Sequence, residues 1–242
     1  MKVLITRELE EGKILAEKVK KIGLEPVLFP VIKTVPIPFN FFDVSRYDVF
    51  IFPSKNAVKY FLENVPGDLL KGKMVIAVGE KTKKALEKKG IKDIKIPRVY
   101  SSEGVLEFIK GNISFFSDKR ILIPRAKKGI DTLPEALKDQ VKEITVLPVY
   151  ETVLNIPQNK EEIKELFEKN EIKFCIFTSP STVENFLKIF PEKGIRYLNA
   201  TCIAVIGTTT KRAVEKKGLK VCIVPEKFTV DGILQKIKEQ LL

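Results

Sequence analysis

The chain repeats itself. Val3-Leu4-Ile5-Thr6-Arg7 is echoed 118 residues later by Ile121-Leu122-Ile123-Pro124-Arg125, and Leu28-Phe29-Pro30-Val31 returns at the same offset as Val146-Leu147-Pro148-Val149. Ile51-Phe52-Pro53-Ser54 returns 125 residues on as Ile176-Phe177-Thr178-Ser179, and Val78-Gly79 with Thr82 returns 128 residues on as Ile206-Gly207 with Thr210. Gly90, Pro97 and Gly104 keep that last offset and return as Gly218, Pro225 and Gly232. Motifs that keep one order while their offset drifts by only ten residues mark a duplicated structural unit. The 242 residues therefore read as tandem copies, 1 to about 117 and about 118 to 242, a length that allows one large domain or two small ones.

Each copy alternates short β-branched runs with helical patterns, as βαβ units on a parallel sheet do. The expected strands of copy one are Val3 to Thr6, Val27 to Phe29, Asp48 to Phe52, Met74 to Val78 and Ile94 to Ile96. Copy two repeats them at Ile121 to Ile123, Thr145 to Leu147, Phe174 to Thr178, Cys202 to Ile206 and Val221 to Val224. The runs are apolar almost throughout, as expected of strands covered by helices on both faces. Leu15, Val19 and Ile22 stripe one helix, which Gly23 ends. Ala57, Val58, Phe61 and Leu62 stripe the next, with Ser54 as its N-cap; Gly90 and Gly218 end two equivalent helices. Proline-bearing connectors, Lys33 to Asp43 and Tyr150 to Lys160, follow the second strand of each copy. This pattern permits either two contiguous five-stranded domains or a pair that exchange their first βαβ pieces.

Composition narrows the chemistry. The chain has no histidine and three cysteines, Cys175, Cys202 and Cys222, without C-x-x-C spacing, which excludes histidine-based metal sites and Ser-His or Cys-His nucleophiles. The cysteines read as small apolar fillers of core strands. Lys and Arg number 43 against 31 Asp and Glu, a formal charge of +12, which favours an anionic partner, although much of the excess is Lys and Glu on helix faces. Nucleic acid is not the expected partner, since no basic helix or aromatic-basic interleaving is present. No apolar run reaches the ~20 residues needed to span a bilayer, and charge follows Ile5 too soon for a secretory h-region, so a cytoplasmic protein without membrane contact is expected.

Ligands of open parallel sheets sit beyond the carboxyl ends of the strands, where helix N-termini present unpaired N–H groups. The loops there carry Arg7, Ser54-Lys55-Asn56 and Gly79-Glu80-Lys81-Thr82 in copy one. In copy two they carry Arg125-Ala126-Lys127-Lys128, Ser179-Pro180-Ser181 and Gly207-Thr208-Thr209-Thr210. Small hydroxyls and backbone amides beside Arg and Lys suit several carboxylates or phosphates. The hydroxyls also suit helix capping, the two roles being compatible, and Arg7 and Arg125 also suit surface ion pairs. Neither G-x-G-x-x-G nor G-x-x-x-x-G-K-[ST] occurs, so the usual nucleotide phosphate loops find no support. Tyr150 breaks the internal symmetry, standing where copy one has Ile32. It reads either as a strand-end packing residue or as a phenol that carries its proton at neutral pH.

Seven segments in order resemble the uroporphyrinogen-III synthase family, the match running from Val3 to Leu234. They are Val3-Leu4-Ile5-Thr6-Arg7, Ile51 to Val58, Val78-Gly79-x-x-Thr82, Leu122 to Ala126, Val149-Tyr150-Glu151-Thr152, Phe177-Thr178-Ser179-Pro180-Ser181-x-Val183 and Ile206-Gly207-x-Thr209-Thr210-x-x-Ala213. Pro53 stands where the family usually has Thr or Ser, and Lys81 and Lys211 add charge. The resemblance implies an α/β protein of two similar, flavodoxin-like or HemD-like domains, with parallel sheets flanked by helices and joined by a two-stranded ladder. Mapped here, one domain is 1–36 plus 152–242 and the other 37–151, with hinges near 33–43 and 150–160 and the substrate cleft between them.

It further implies a cofactor-free, metal-free lyase that closes the linear tetrapyrrole hydroxymethylbilane to uroporphyrinogen III. Water is lost and ring D is inverted through a spiro intermediate. Tyr150 would be the catalytic proton donor to the departing hydroxyl. Arg7, Ser54, Lys55, Asn56, Gly79, Thr82, Arg125 and Lys127 would hold the carboxylate arms together with Thr178, Ser179, Ser181, Gly207, Thr209 and Thr210. A monomer is expected, with transient contact to the preceding enzyme of the pathway. The alternative is a non-catalytic two-domain binder of an anionic small molecule, which resembles a periplasmic binding protein in outline but lacks the expected signal peptide.

Overall fold

The computed structural model describes residues 1–39, 43–129 and 131–241, so residues 40–42 of the expected hinge lie outside the described residues. The chain runs β1 (Lys2–Ile5), α1 (Leu9–Lys21), β2 (Glu25–Leu28), β3 (Ile32–Pro36), β4 (Val49–Phe52), α2 (Lys55–Leu62), β5 (Met74–Ala77), α3 (Glu80–Glu87) and β6 (Ile94–Lys95). It continues through α4 (Ser102–Lys110), α5 (Ile113–Phe116), β7 (Arg120–Ala126), α6 (Thr132–Leu137), β8 (Glu143–Leu154), α7 (Lys160–Glu168) and β9 (Ile172–Phe177). The last elements are α8 (Pro180–Ile189), α9 (Gly194–Asn199), β10 (Cys202–Val205), α10 (Thr208–Glu215) and α11 (Val230–Glu239). No helix among the described residues is long and apolar enough to cross a membrane.

Two compact units emerge, one of Met1–Lys33 with Val153–Leu242, the other of Thr34–Thr152. The first holds the sheet β10-β9-β1-β2, all parallel, with β1 paired to β9 through Val3↔Phe174, Leu4↔Cys175 and Ile5↔Ile176. Apolar residues alternate between its faces. Leu4, Cys175, Phe177 and Ile203 meet Ile163 of α7, Phe186 of α8, Leu198 of α9 and Val214 of α10. Val3, Ile5, Ile176 and Ala204 meet Leu15 and Val19 of α1 and Ile233 and Ile237 of α11.

The second unit carries β8-β7-β4-β5-β6, also parallel, with β3 beyond β8. Phe50, Phe52, Val75 and Leu122 pack on α2, while Val49, Ile51, Ile76 and Ile121 pack on α4, α5 and α6. All four side chains of β4 are fully buried, which explains a strand with no polar position; each such side chain contributes ~1.5–3 kcal/mol by leaving water.

In terms of the repeat, the sheets have one strand order. Each places the second and first strands of one copy beside the third and fourth of the other. In both, the strand order reverses at the junction of the two copies' contributions, β1/β9 in one unit and β7/β4 in the other. Such a reversal leaves a crevice beyond the carboxyl ends of the strands. Pro124 helps to open the second one. It has no N–H to give, and the β4–β7 pairing is confined to Val49↔Ile121 and Phe50↔Leu122.

Several expectations need correction. Val221 to Val224 forms no strand, only an isolated bridge Ala204↔Ile223, because the N–H groups of Cys222 and Ile223 both turn to the Ile203 carbonyl and Pro225 follows. The connector after Val31 begins as strand β3, since Ile32-Lys33-Thr34-Val35 is β-prone and only Pro36 stops it. Of the cysteines only Cys175 is a core filler, its thiol pushed up to about 12 by burial; Cys202 is half-buried and Cys222 exposed. Gly23, Gly90 and Gly218 end their helices at φ of +79°, +80° and +73°, a region a side chain would disfavour.

Candidate active site

The carboxyl edge of the second unit is built around a strand irregularity. Along β7 and β8 the pairs run evenly to Arg125↔Pro148, and then Ala126 pairs with Tyr150, leaving Val149 as an extra residue. Pro148 cannot donate to the ladder, and a bulge of this kind re-aims the side chain that follows. Tyr150 faces β4's loop as a result: its Oη lies 3.1 Å from Ser54 Oγ. The ring is stacked on Tyr60 of α2, with centroids 5.4 Å apart and planes at 23°. Tyr60 is held in turn, donating from its hydroxyl to the Thr34 carbonyl at 2.9 Å, with Thr34 Oγ1 also 2.9 Å away. Tyr150 keeps 9% of its surface exposed; the aromatic ring is fixed while the oxygen stays within reach of the edge.

Ser54 does two things. Its Oγ accepts the Ala57 N–H at 3.1 Å, capping α2. The same hydroxyl meets Tyr150 Oη, and either oxygen can be the donor of that bond. Lys127 closes the same corner through its backbone, its N–H donating to the Tyr150 carbonyl at 2.8 Å.

Three of the expected cations are engaged with carboxylates. Arg7 meets Glu11 at 3.4 Å, Lys127 meets Glu151 at 3.4 Å and Arg125 is paired with Asp131. Of these, the Lys127–Glu151 pair is exposed and contributes little stability, while the Arg7, Glu11 and Arg125 side chains are mostly covered.

Gly79 and Gly207 are the N-caps of α3 and α10, with extended backbone and no side-chain cap. Thr82 and Thr210 sit three residues on, inside the first turn, and are 5% and 3% exposed; neither serves as the N-cap. Ser179 opens α8 without capping it through its side chain, its Oγ lying 2.9 Å from Ser181 Oγ. Thr178 is half-buried at the end of β9, Lys55 and Asn56 begin α2, and Thr209 is exposed in the first turn of α10. Ser54, Lys127 and Tyr150 are thus brought into contact in one unit, and Ser179 and Ser181 in the other.

Among the described residues no group of three or more Cys, Asp or Glu could hold a metal ion. A pocket of about 790 Å³ lined by Gly67, Lys71, Lys89 and Asp93 lies where the chain enters β5 and β6, at the opposite end of those strands from Gly79.

Residues 13–235 match the family model described as uroporphyrinogen-III synthase HemD. The chain belongs to this family. Among uroporphyrinogen-III synthase relatives, that of Chlorobaculum parvum is 29% identical over 99% of this chain and 98% of its own. A putative uroporphyrinogen-III synthase of Methanocaldococcus jannaschii is 31% identical, covering 98% of each chain. The solved uroporphyrinogen-III synthetase of Helicobacter pylori has the same fold, with a TM-score of 0.66 at 21% identity over 99% of this chain and 98% of that one. A mutant uroporphyrinogen III synthase of Thermus thermophilus gives 0.56 at 19% identity over 100% and 98%.

Sequence reasoning missed Tyr60 and Thr34. Tyr60 falls beside the apolar stripe of α2, where an aromatic reads as core, and Thr34 falls in what reads as a connector. The proline before Val149 was the available signal for the bulge.

Proposed function

We propose that this chain closes hydroxymethylbilane to uroporphyrinogen III, losing water and inverting ring D through a spiro intermediate, as a lyase that needs no cofactor. The contact between Ser54 and Tyr150, beyond the carboxyl end of β4 and opposite that of β7, carries the reading. Tyr150 gives its proton to the departing hydroxyl, which leaves as water, and the substrate becomes an azafulvene cation. Ser54 donates to the phenolic oxygen as charge builds there, a positioned donor of the kind that lowers such barriers. The substituted carbon of the terminal pyrrole then attacks, the spiro ring fragments, and reclosure with loss of a proton gives the unsymmetrical product.

The loss of water is easy chemistry and uncatalysed closure gives the symmetrical isomer, so imposed geometry supplies most of the selectivity. In each unit the strand-end loops supply it. Helix N-termini at Gly79, Gly207 and Ser179, the hydroxyls of Thr82 and Thr210, and cations such as Arg7, Arg125 and Lys127 take the acetate and propionate arms. In this reading the functional domains are 1–36 with 152–242 and 37–151, hinged near 33–43 and 150–160, and the enzyme works as a cytoplasmic monomer in transient contact with the enzyme that makes its unstable substrate.

The test is product analysis. Incubation with hydroxymethylbilane, oxidation to porphyrins and chromatographic separation should show the type III isomer in excess over the enzyme-free control. Tight binding with only the symmetrical isomer formed would instead establish a non-catalytic binder of an anionic small molecule.

A further inference from the structure

Two large aromatic rings remain more than half exposed at corresponding places. Tyr100 is 59% and Phe228 57% exposed, and they stand 128 residues apart, the offset that also separates Gly79 from Gly207 and Thr82 from Thr210. Each lies over the glycine of its own unit. A Cβ placed on Gly79 would come within 3.6 Å of Tyr100, and one on Gly207 within 3.3 Å of Phe228. Those glycines begin α3 and α10, the helices whose first turns hold Thr82 and Thr210. Each ring therefore borders a strand-to-helix turn on the carboxyl edge of its sheet.

The loops that carry the rings are built alike and tightly. Ser101 caps α4 by accepting the Gly104 N–H at 3.2 Å, and Thr229 caps α11 by accepting the Gly232 N–H at 3.0 Å. A Cβ on Gly104 would stand 2.0 Å from the Val99 carbonyl oxygen, and one on Gly232 2.4 Å from that of Lys227. Only hydrogen fits, so both backbones close on the residue just ahead of the ring and fix where it points.

An apolar residue ahead of an N-cap commonly staples onto the fourth helical residue, here Val105 and Ile233. A staple buries its outer member, and these two rings are left in water. A single exposed aromatic needs no explanation. A Tyr and a Phe kept at equivalent positions, with only their ring in common, point to use of the ring face.

We propose that Tyr100 and Phe228 contact the substrate, each laying its ring against a pyrrole of the linear tetrapyrrole whose arms are taken at the neighbouring Gly79 and Gly207 turns. This rests on the function proposed above and adds to it the part of the site that grips the aromatic body of the substrate. Flat ring-on-ring contact suits pyrroles, and an aromatic face also attracts the azafulvene cation once it forms.

Kinetics of the full chain test this. Tyr100→Ala and Phe228→Ala should each raise KM for hydroxymethylbilane roughly tenfold, equivalent to ~1.4 kcal/mol, and increase the share of symmetrical isomer. Tyr100→Phe, which keeps the ring face, should shift KM and isomer ratio far less than Tyr100→Ala. Thermal unfolding midpoints should stay unchanged, the rings being exposed. Alanine variants with unaltered KM and isomer ratio, beside a wild type that makes type III product, overturn this inference alone. So does a fall in unfolding midpoint with KM unchanged, the mark of a staple. A wild type that yields only the symmetrical isomer overturns the parent reading and this one together.

Discussion

Replacing Tyr150 with Phe removes one oxygen from a well-defined place. The ring keeps its stack on Tyr60 at 5.4 Å, and Ser54 Oγ keeps the Ala57 N–H at 3.1 Å. What is lost is the 3.1 Å contact between Tyr150 and Ser54, with no buried donor orphaned, so the stability cost is ~1 kcal/mol or less. For a chain of this size that lowers the unfolding midpoint by about 2–4 °C at most. The catalytic cost is set differently. Positioned acid catalysis is typically worth ~10²- to 10⁴-fold, and a leaving group that departs unaided places this enzyme at the lower end or below. The expected variant therefore melts nearly as wild type, keeps its KM, and makes type III product at a kcat reduced by about 10²-fold or less. Initial rates of type III formation, measured chromatographically beside thermal unfolding by circular dichroism, read both. A folded variant with no type III product would show that acid catalysis outweighs imposed geometry. An unchanged kcat would reduce Tyr150 to a packing residue.

Thr82→Val and Thr210→Val keep shape and burial but remove hydroxyls that cap nothing, so arm binding should weaken and product shift toward the symmetrical isomer; unchanged rate and isomer ratio would assign both residues to the fold alone. Gly104→Ala drives a methyl against the Val99 carbonyl and should destabilise by ~1–3 kcal/mol, seen as a lower denaturation midpoint. Glu168 receives Lys193 and Tyr197, with Arg196 at 2.8 Å, and Lys193 foremost holds its carboxyl down at about 2 from an ordinary 4.5. A depressed acid stabilises the fold above its ordinary value and loses that contribution as pH falls from about 4.5 toward about 2. Glu168→Gln should flatten this part of the stability–pH curve, and a curve of unaltered shape would refute the assignment.

Much of this was legible because the sheets are buried on both faces. Val49-Phe50-Ile51-Phe52 has no polar position and reads as a central strand without further help, and Gly23, Gly90 and Gly218 mark helix ends because the backbone there needs positive φ. Less was legible at the edges. The bridge at Ile223 is a single contact beside a proline, too short to separate from a strand by pattern, and Tyr60 looks like core because it is core at its ring and polar only at its tip. The exposed rings of Tyr100 and Phe228 carry no signal singly and acquire one only when the repeat offset is applied to the solvent-facing residues.

The exchange of strands was the harder matter, since the repeat makes the competing pairings nearly equal in apolar pattern. β1 finds similar neighbours in β4 and β9, and periodicity cannot prefer either. The chemistry can. Copy two has Ser179 where copy one has Ser54, and copy one has Ile32 where copy two has Tyr150. Because β8 of copy two lies in the sheet of β4 from copy one, Ser54 and Tyr150 meet in one unit. The other unit receives Ser179 and Ile32, and there Ser179 Oγ turns instead to Ser181. Contiguous domains would have paired Ser54 with Ile32 and Tyr150 with Ser179. The exchange therefore gives one unit both the phenol and the serine that also caps α2, and gives the other Arg7 with the hydroxyls of Ser179 and Ser181 but no phenol at that place.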